Sequence, residues 1–323
     1  MELKPEIIDR LQKLDEKYEA MGQNLVSYLD GLLHADYLTY WDYIHLDTLL
    51  SLQTPKTSIP DESIFIMYHQ ITELYFKLSL HELEQVSQSN ELKGADLLKS
   101  ITRINRYFGA LIDSFDIMVD GMDTAQFHKF RMSLLPASGF QSAQYRMIEI
   151  FCTEFINLVL TEHRDKFEGY PSETMIEQMY NYIYWKTGAT ELSSGKKTLT
   201  LKQFELKYSG ELITLAKQCK TDNLWVRYKA LTDAERADQQ LIDALKMLDV
   251  NINVNWPLSH YKSAVRYLQR DPEDIAATGG TNWQKYLPPR FQRRIFYPQL
   301  WTAEELENWG KSWVRSVVFK KEV

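Results

Sequence analysis

The sequence predicts an all-α fold in which one large helical unit spans residues 1–323. Apolar residues recur three or four positions apart along much of the chain, and the stretch 61–86 shows this spacing without any Gly or Pro. No stretch rich in Pro, Gly and Ser divides the 323 residues into separate domains. We therefore expect a single helical domain.

The composition narrows the possible functions. Apolar residues make up 44% of the chain and charged residues 25%, as in a globular protein that is soluble in water. The formal net charge is −7 and no block of basic residues occurs, so we expect no nucleic-acid partner and no binding to an anionic membrane. Two cysteines are too few for a disulfide framework or a structural zinc site, and no signal peptide or bilayer-length apolar run is visible, so the expected compartment is the cytoplasm.

The pattern of the N-terminal region predicts packing contacts with other helices or with another subunit. Residues 3–33 have the spacing of one amphipathic helix, and we expect the segment 1–35 to pack against helices or to form part of an oligomer interface. Tyr40, Tyr43 and Ile44 follow, three or four positions apart, so one helical turn presents them together. Such a group is a core stripe, a pocket wall or a subunit contact.

The segment 61–86 carries a histidine on one of two apolar sides. The broader side is expected to be core and consists of Ile64, Met67, Tyr68, Ile71, Leu74, Tyr75 and Leu78. The opposite side presents His69 with Phe65, Thr72 and Phe76. Burial between phenylalanines favours the neutral imidazole. A core histidine bonded to a carbonyl is the commoner explanation of this pattern, and a binding-site histidine is the alternative.

The next segment places an arginine, Arg131, among apolar residues. A helix is expected over 95–119, a turn at Gly121, and then a helical face shared by Phe127, Arg131 and Leu134. A buried guanidinium needs an anion, yet no acidic residue lies three or four positions from Arg131. Its partner is therefore distant in sequence or is the carboxylate of a ligand.

The last long helix carries a second histidine. Asn255 is expected to cap it, and Trp256, His260, Ala264 and Tyr267 project together. A small residue one turn after His260 leaves room over the ring, which suits a flat cofactor bound through the imidazole, although a packed core histidine shows the same pattern more often. The glycines after Thr278 allow the backbone to approach a ligand closely. The stretch 151–250 shows no recognisable catalytic or binding motif. The tail 284–323 is expected to pack over other helices.

Several motifs in this order resemble those of the tryptophan 2,3-dioxygenase family. They are Tyr40-Trp41-Asp42-Tyr43, FIMYHQITELYFK at 65–77, FRMSLLPASGFQSAQYR at 130–146, the histidine at 260, and Thr278-Gly279-Gly280. The likeness is good over 37–150, looser over 250–282 and weak over 151–250. It implies a bundle-type haem protein that cleaves the indole C2–C3 bond of L-tryptophan with O2 to give N-formylkynurenine, the first step of tryptophan catabolism by the kynurenine route.

The resemblance also implies roles for single residues. His260 is expected to be the axial ligand of the iron of haem b, with Ser138 near the haem edge. His69 is the expected catalytic residue, a distal histidine that faces the indole N–H of the substrate, and Arg131 is expected to bind the substrate carboxylate. The residues expected to complete the substrate pocket are Phe65, Phe127, Leu134 and Thr278.

The family is a homotetramer with interwoven N-terminal segments, so Tyr40, Tyr43 and Ile44 are expected to reach the site from a neighbouring subunit. Two departures from the family pattern keep alternatives open. Pro257 stands where the family usually has Arg after the tryptophan, and residues 277–283 read ATGGTNW instead of the usual GTGGSSG. A related haem oxygenase that acts on another aromatic amino acid or indole, and a non-enzymatic haem-binding protein, are the alternative functions.

Overall fold

The computed structural model describes residues 3–35, 38–134, 141–167, 173–190, 196–268 and 293–310. Over these ranges the chain forms helices and two isolated antiparallel bridges, Val159 with Ile183 and Thr190 with Lys197, but no longer strand. The all-α prediction is confirmed. The chain divides into two compact units, Met1–Gln53 and Thr54–Val323. That both belong to one domain remains a prediction.

The first unit contains four helices with little buried surface. They are α1 (Pro5–Ala20), α2 (Leu25–Leu33), α3 (Tyr40–Tyr43) and α4 (Leu46–Leu50). The prediction of one helix over 3–33 is wrong, because Gly22 adopts a φ of +67° and Asn24 then caps α2 by accepting a 2.8 Å bond from the Val26 N–H. Of the described residues in this unit, only Leu25 is buried.

The second unit contains the remaining helices. They are α5 (Asp61–Gln88), α6 (Gly94–Ser114), α7 (Asp116–Val119), α8 (Thr124–Phe130), α9 (Ala143–Cys152), α10 (Glu173–Asn181), α11 (Tyr184–Thr187), α12 (Leu199–Asp222), α13 (Leu224–Lys229), α14 (Asp233–Arg236), α15 (Gln239–Val250), α16 (Trp256–Leu268) and α17 (Ala303–Glu307). Short 3₁₀ turns lie at Arg131–Leu134, Phe155–Leu158, Thr161–Phe167 and Pro298–Leu300. The predicted helix over 95–119 is broken at Phe115, between α6 and α7.

Helix α6 lies at the centre of the core. Its buried stripe has the three- and four-residue spacing of a helix face and comprises Leu97, Ile101, Ile104, Phe108 and Leu111, all with 0% exposure. Helices α5 and α15 pack against α6, and α9 packs against α5 and α12. Full burial of each such side chain contributes roughly 1.5–3 kcal/mol, so this stripe fixes the helices that carry the two histidines.

The side of α5 that was expected to be core is largely exposed. Met67, Ile71, Leu74 and Leu78 are between 43% and 49% exposed. The buried residues instead include Phe76 and Thr72 from the histidine side, together with Tyr68. The prediction fails because α5 is apolar on both sides, and periodicity alone does not say which side the other helices of the same chain cover.

The segment 293–310 is fastened to α15 through one buried carboxylate. Asp249 has 0% exposure and accepts bonds from the Phe296 N–H at 3.0 Å, the Tyr297 N–H at 3.2 Å and the Trp301 Nε1–H at 3.0 Å. Burial raises the pKa of Asp249 to about 6. Phe296, Tyr297 and Trp309 are buried, so the expected packing of the C-terminal region is confirmed for these residues.

A second buried carboxylate joins distant parts of the chain. Glu149 of α9 accepts a 2.8 Å bond from Arg146 and a further bond from Arg294, and the Tyr184 hydroxyl donates to it at 2.5 Å. All four side chains are less than 9% exposed. Removal of one partner from such a buried pair costs about 3–5 kcal/mol, so this group ties α9, α11 and the segment at 294 together.

Among the helices that the structure describes, none combines the length and the apolar character needed to cross a bilayer.

Candidate functional site

His69 lies on the inner side of α5 beside Phe65. The two rings are 4.1 Å apart, and the imidazole Nδ1 lies 2.7 Å from the carbonyl oxygen of Phe65. A carbonyl only accepts, so Nδ1 carries the hydrogen and Nε2 keeps its lone pair in the neutral ring. Burial lowers the pKa of His69, which favours this neutral form.

His260 on α16 has the same local arrangement. Its Nδ1 lies 3.2 Å from the carbonyl oxygen of Trp256, one turn earlier, so this nitrogen is again the donor. The rings of Trp256 and Phe115 each lie 4.5 Å from the imidazole. Burial is the main cause that lowers the pKa of His260 to about 4, and the nearby His69 and Arg146 act in the same direction. His260 is therefore a neutral ring whose Nε2 can act as a ligand atom.

A short chain of aromatic rings connects the two histidines. Tyr68 lies 6.4 Å from His69 and 5.7 Å from Phe115, and Phe115 lies against His260. The hydroxyl of Tyr68 donates to the Leu111 carbonyl at 3.2 Å, which fixes this ring against α6. The structure thus brings the histidines of α5 and α16 to one region.

Aromatic side chains from α8 close one side of this region. Phe130 lies 5.9 Å from Phe65 and 5.5 Å from Phe127, and Phe127 lies 4.7 Å from Tyr267 of α16. Leu134 is half-buried and packs against the same core. Phe65, Phe127 and Leu134 are therefore available as an apolar wall, which suits a flat aromatic ligand.

Arg131 is the first residue of the 3₁₀ turn that follows α8. The chain leaves the α-helix at Phe130, so the expected α-helical face shared by Phe127, Arg131 and Leu134 does not continue through the turn. Two bonds between helix starts hold α8 against α5: the Asp123 N–H donates to the Asp61 carboxylate at 2.6 Å, and the Asp61 N–H donates to the Gln126 amide oxygen at 3.3 Å.

The other predicted site residues either lie outside the described ranges or belong to the first unit. Ser138 and Thr278 lie outside the described residues. Tyr40 and Tyr43 belong to α3 of the first unit, where they are 71% and 73% exposed, and Ile44 follows them half-buried. Their predicted contact with the site of a neighbouring subunit stays a prediction.

Sequence reasoning missed two aromatic residues at the centre of the region. Phe115 lies in the break between α6 and α7, four residues after Leu111, so its place in the apolar spacing of α6 was the available signal. Phe130 is fully buried between Phe65 and Phe127, and its spacing three residues after Phe127 was the available signal.

The family model and the similar proteins that match this chain all have the same name. The family model described as tryptophan 2,3-dioxygenase matches residues 30–204, just over half of the chain. A protein of Herpetosiphon aurantiacus named tryptophan 2,3-dioxygenase is 31% identical over 270 residues, which are 82% of this chain and 96% of that protein. A Bacillus thuringiensis protein of the same name is 27% identical over 88% of this chain and 99% of its own length. A Ruegeria protein of that name is 42% identical over 116 residues, and this alignment spans 41% of its length.

The neutral state of His260 predicts that the free energy of unfolding depends on pH. In the folded protein without added ligand we expect this ring to bind its proton near pH 4, whereas the unfolded chain titrates near 6.5. Between these values the unfolded chain binds more protons, so the contribution of His260 to the free energy of unfolding is complete above pH 6.5 and decreases as the pH falls toward 4. Nitrogen NMR of labelled histidine measures the titration, and His260→Gln identifies the resonance. A folded-state titration of His260 near 6.5 would contradict the burial argument.

Proposed function

This chain belongs to the tryptophan 2,3-dioxygenase family, and we propose that it is a haem-dependent dioxygenase that inserts both atoms of O2 across the indole C2–C3 bond of L-tryptophan to give N-formylkynurenine. The observation that carries the proposal, beside the family, is the pair of neutral histidines that lie in one aromatic region and each carry the lone pair on Nε2. One histidine would bind the haem iron, and the other would accept a hydrogen bond from the indole N–H. The apolar wall that includes Phe127 suits the indole ring.

The donor set at His260 fits a haem. Ligating histidines characteristically donate their second ring N–H to a carbonyl or carboxylate, as His260 donates to Trp256. One imidazole is enough, because a porphyrin supplies four further nitrogen ligands to the iron. His260 would hold the iron through Nε2, and Ser138 would lie near the haem, an assignment made from its motif alone. When bound, the haem supplies the O2 activation that no amino-acid side chain offers.

His69 is proposed to bind the indole N–H. Because Nδ1–H is used on the Phe65 carbonyl, the neutral ring can only accept a bond at Nε2. An indole N–H is a donor and matches this acceptor. The same tautomer cannot donate a bond to an oxygen atom from Nε2, so we propose that His69 orients the substrate and is not an obligatory proton donor.

The remaining residues are proposed to place the substrate. Arg131 would bind the α-carboxylate in a bidentate manner, and Thr278 would contact the carboxylate or the ammonium group. Phe65, Phe127 and Leu134 would hold the ring so that its reacting bond has one orientation. The contribution of these groups is placement, which for a well-oriented pair of reactants is worth several kcal/mol of the barrier.

Oligomer formation is proposed from exposed apolar surfaces on each unit. In the first unit, Leu32, Leu33, Tyr40 and Tyr43 are between 70% and 81% exposed. In the second unit, α5 exposes the stripe Met67, Ile71, Leu74 and Leu78. Contiguous apolar surface of this kind is typical of subunit contacts. It supports a homotetramer in which Tyr40, Tyr43 and Ile44 complete the site of another copy. Cys152 and Cys219 are free and buried, which supports a cytoplasmic location.

Replacement of Arg131 tests the substrate assignment. We expect Arg131→Ala to raise KM for L-tryptophan about 30- to 150-fold, since a charge-assisted pair with the carboxylate is worth roughly 2–3 kcal/mol. Steady-state turnover of L-tryptophan and of tryptamine, which lacks the carboxylate, provides the measurement. The variant should leave kcat/KM for tryptamine unchanged.

The matched control is Arg106→Ala, because Arg106 is an exposed arginine of α6. It should behave as the wild type with both compounds. Wild-type KM and kcat for L-tryptophan in Arg131→Ala would exclude the carboxylate role. Faster wild-type turnover of another aromatic amino acid or indole would favour the related oxygenase instead.

Charge introduced on the exposed side of α5 tests the assembly. We expect the double substitution Ile71→Glu and Leu74→Glu to convert the tetramer to smaller species, because buried carboxylates would face each other across the contact. Light scattering after size-exclusion chromatography gives the mass. Lys77→Glu, an exposed change on the same helix, is the control and should keep the assembly. A double variant that retains the wild-type mass would show that this stripe is not a subunit contact.

A further inference from the structure

The helix that carries His260 contains one widened turn. Helices α15 and α16 are continuous through Asn251–Asn255, a segment here called the π turn. The Trp256 N–H donates to the carbonyl of Asn251, five residues earlier, instead of four as in an α-helix. Asn255, which the sequence suggested as a cap, therefore lies inside the helix, and the expected start at this residue is wrong.

The extra residue changes which side chains face the core. In a continuous α-helix, 18 residues make about five turns, so residues 259 and 266 would lie in line with Leu241 and Leu248. The structure instead buries Tyr267 at 2% exposure, while the side chain of Arg266 is 56% exposed. By the same count, the π turn places His260 in the register position that Ser259 would have in a continuous α-helix.

Side-chain amides hold the π turn. Asn255 donates to the side-chain oxygen of Asn251 at 2.9 Å, and Asn251 donates to that of Asn105 on α6 at 3.1 Å. Asn253 donates to Asp249 at 2.8 Å, the carboxylate that also receives the segment at 296–301. A π turn is rare and its geometry needs such outside support to persist.

A tyrosine from another helix binds the backbone of the π turn directly. The hydroxyl of Tyr145, on α9, donates to the carbonyl of Ile252 at 2.8 Å. Burial raises the pKa of Tyr145, so the hydroxyl remains a donor. The same ring lies 5.5 Å from Phe76 of α5, and Phe76 lies 5.7 Å from Trp256, whose carbonyl orients His260.

We propose that Tyr145 and Asn255 are positioning residues, which hold the π turn in place and thereby direct the Nε2 atom of His260 toward the haem. This inference rests on the proposed axial role of His260. If these bonds only satisfied buried polar groups, their loss would lower stability without changing the ligand geometry.

Tyr145→Phe removes only the hydroxyl, and Tyr180→Phe is its matched control. Tyr180 is also buried, and its hydroxyl donates to Ser209 at 3.1 Å between α10 and α12. Two haem readouts are used: the Soret titration of haem-free protein with haem, and the iron–imidazole stretching frequency of the ferrous form. We expect Tyr145→Phe to weaken haem binding about five- to tenfold, the loss of one hydrogen bond, and to shift the stretching frequency, and Tyr180→Phe to do neither.

A third readout needs no haem. Hydrogen exchange of the Trp256 amide, whose bond defines the π turn, should accelerate in haem-free Tyr145→Phe and not in Tyr180→Phe. Asn255→Ala, with the exposed Asn181→Ala as control, provides a second pair should the first lower the yield of folded protein.

The outcomes separate the two proposals. Unchanged affinity, frequency and exchange in both Tyr145→Phe and Asn255→Ala would overturn the positioning role while leaving the haem enzyme intact. A wild-type protein without haem uptake, or a His260→Ala variant with the wild-type stretching frequency, would overturn the axial role of His260. In that case the exchange of the Trp256 amide still decides whether Tyr145 holds the π turn.

Discussion

The candidate site depends on two imidazoles that are each fixed to a carbonyl of their own helix. His69 donates to Phe65 and His260 to Trp256, and both rings are desolvated by aromatic neighbours. Burial disfavours the charged imidazolium, and the carbonyl selects the tautomer with hydrogen on Nδ1. Each ring is left with one lone pair, at Nε2, in a fixed direction. Such a lone pair can bind a metal ion or accept a hydrogen bond from an N–H group. In the proposed reaction His260 has the first role and His69 the second.

Directing these lone pairs requires precise helix register. On α5 the direction follows from regular α-helical spacing, with α6 and α9 covering the inner face. On α16 it follows from an irregularity, because the π turn shifts the inner face by one residue. Buried polar groups stabilise that irregularity, and Asp249 connects it with the segment 293–310. A rare backbone conformation is thus paired with several side-chain hydrogen bonds beside His260, the proposed haem ligand.

Much of this arrangement could be predicted from the sequence, and the exceptions have physical causes. Helical spacing predicted the fold class and the proximity of His69 to Phe65, because both follow from contacts within one helix. Periodicity could not choose between the two apolar sides of α5, since the exposed stripe and the buried stripe have the same kind of side chains at the same spacing. It also could not reveal the π turn, whose stability comes from Tyr145 on another helix, more than 100 residues away in sequence. The partners of Glu149 were hidden for the same reason: Arg294 reaches it only through the tertiary fold.

Isotope-labelled oxygen tests the proposed dioxygenase reaction by following both atoms of O2. Haem-loaded protein is reduced without air, mixed with L-tryptophan and exposed to ¹⁸O₂, and the product is identified by mass. A haem-dependent dioxygenase gives a ring-opened product that has gained both heavy oxygen atoms, and this product is expected to be absent in His260→Ala. Unchanged L-tryptophan beside a stable ferrous haem spectrum would contradict the proposed reaction, and would leave a haem protein of this fold with a different substrate or with none.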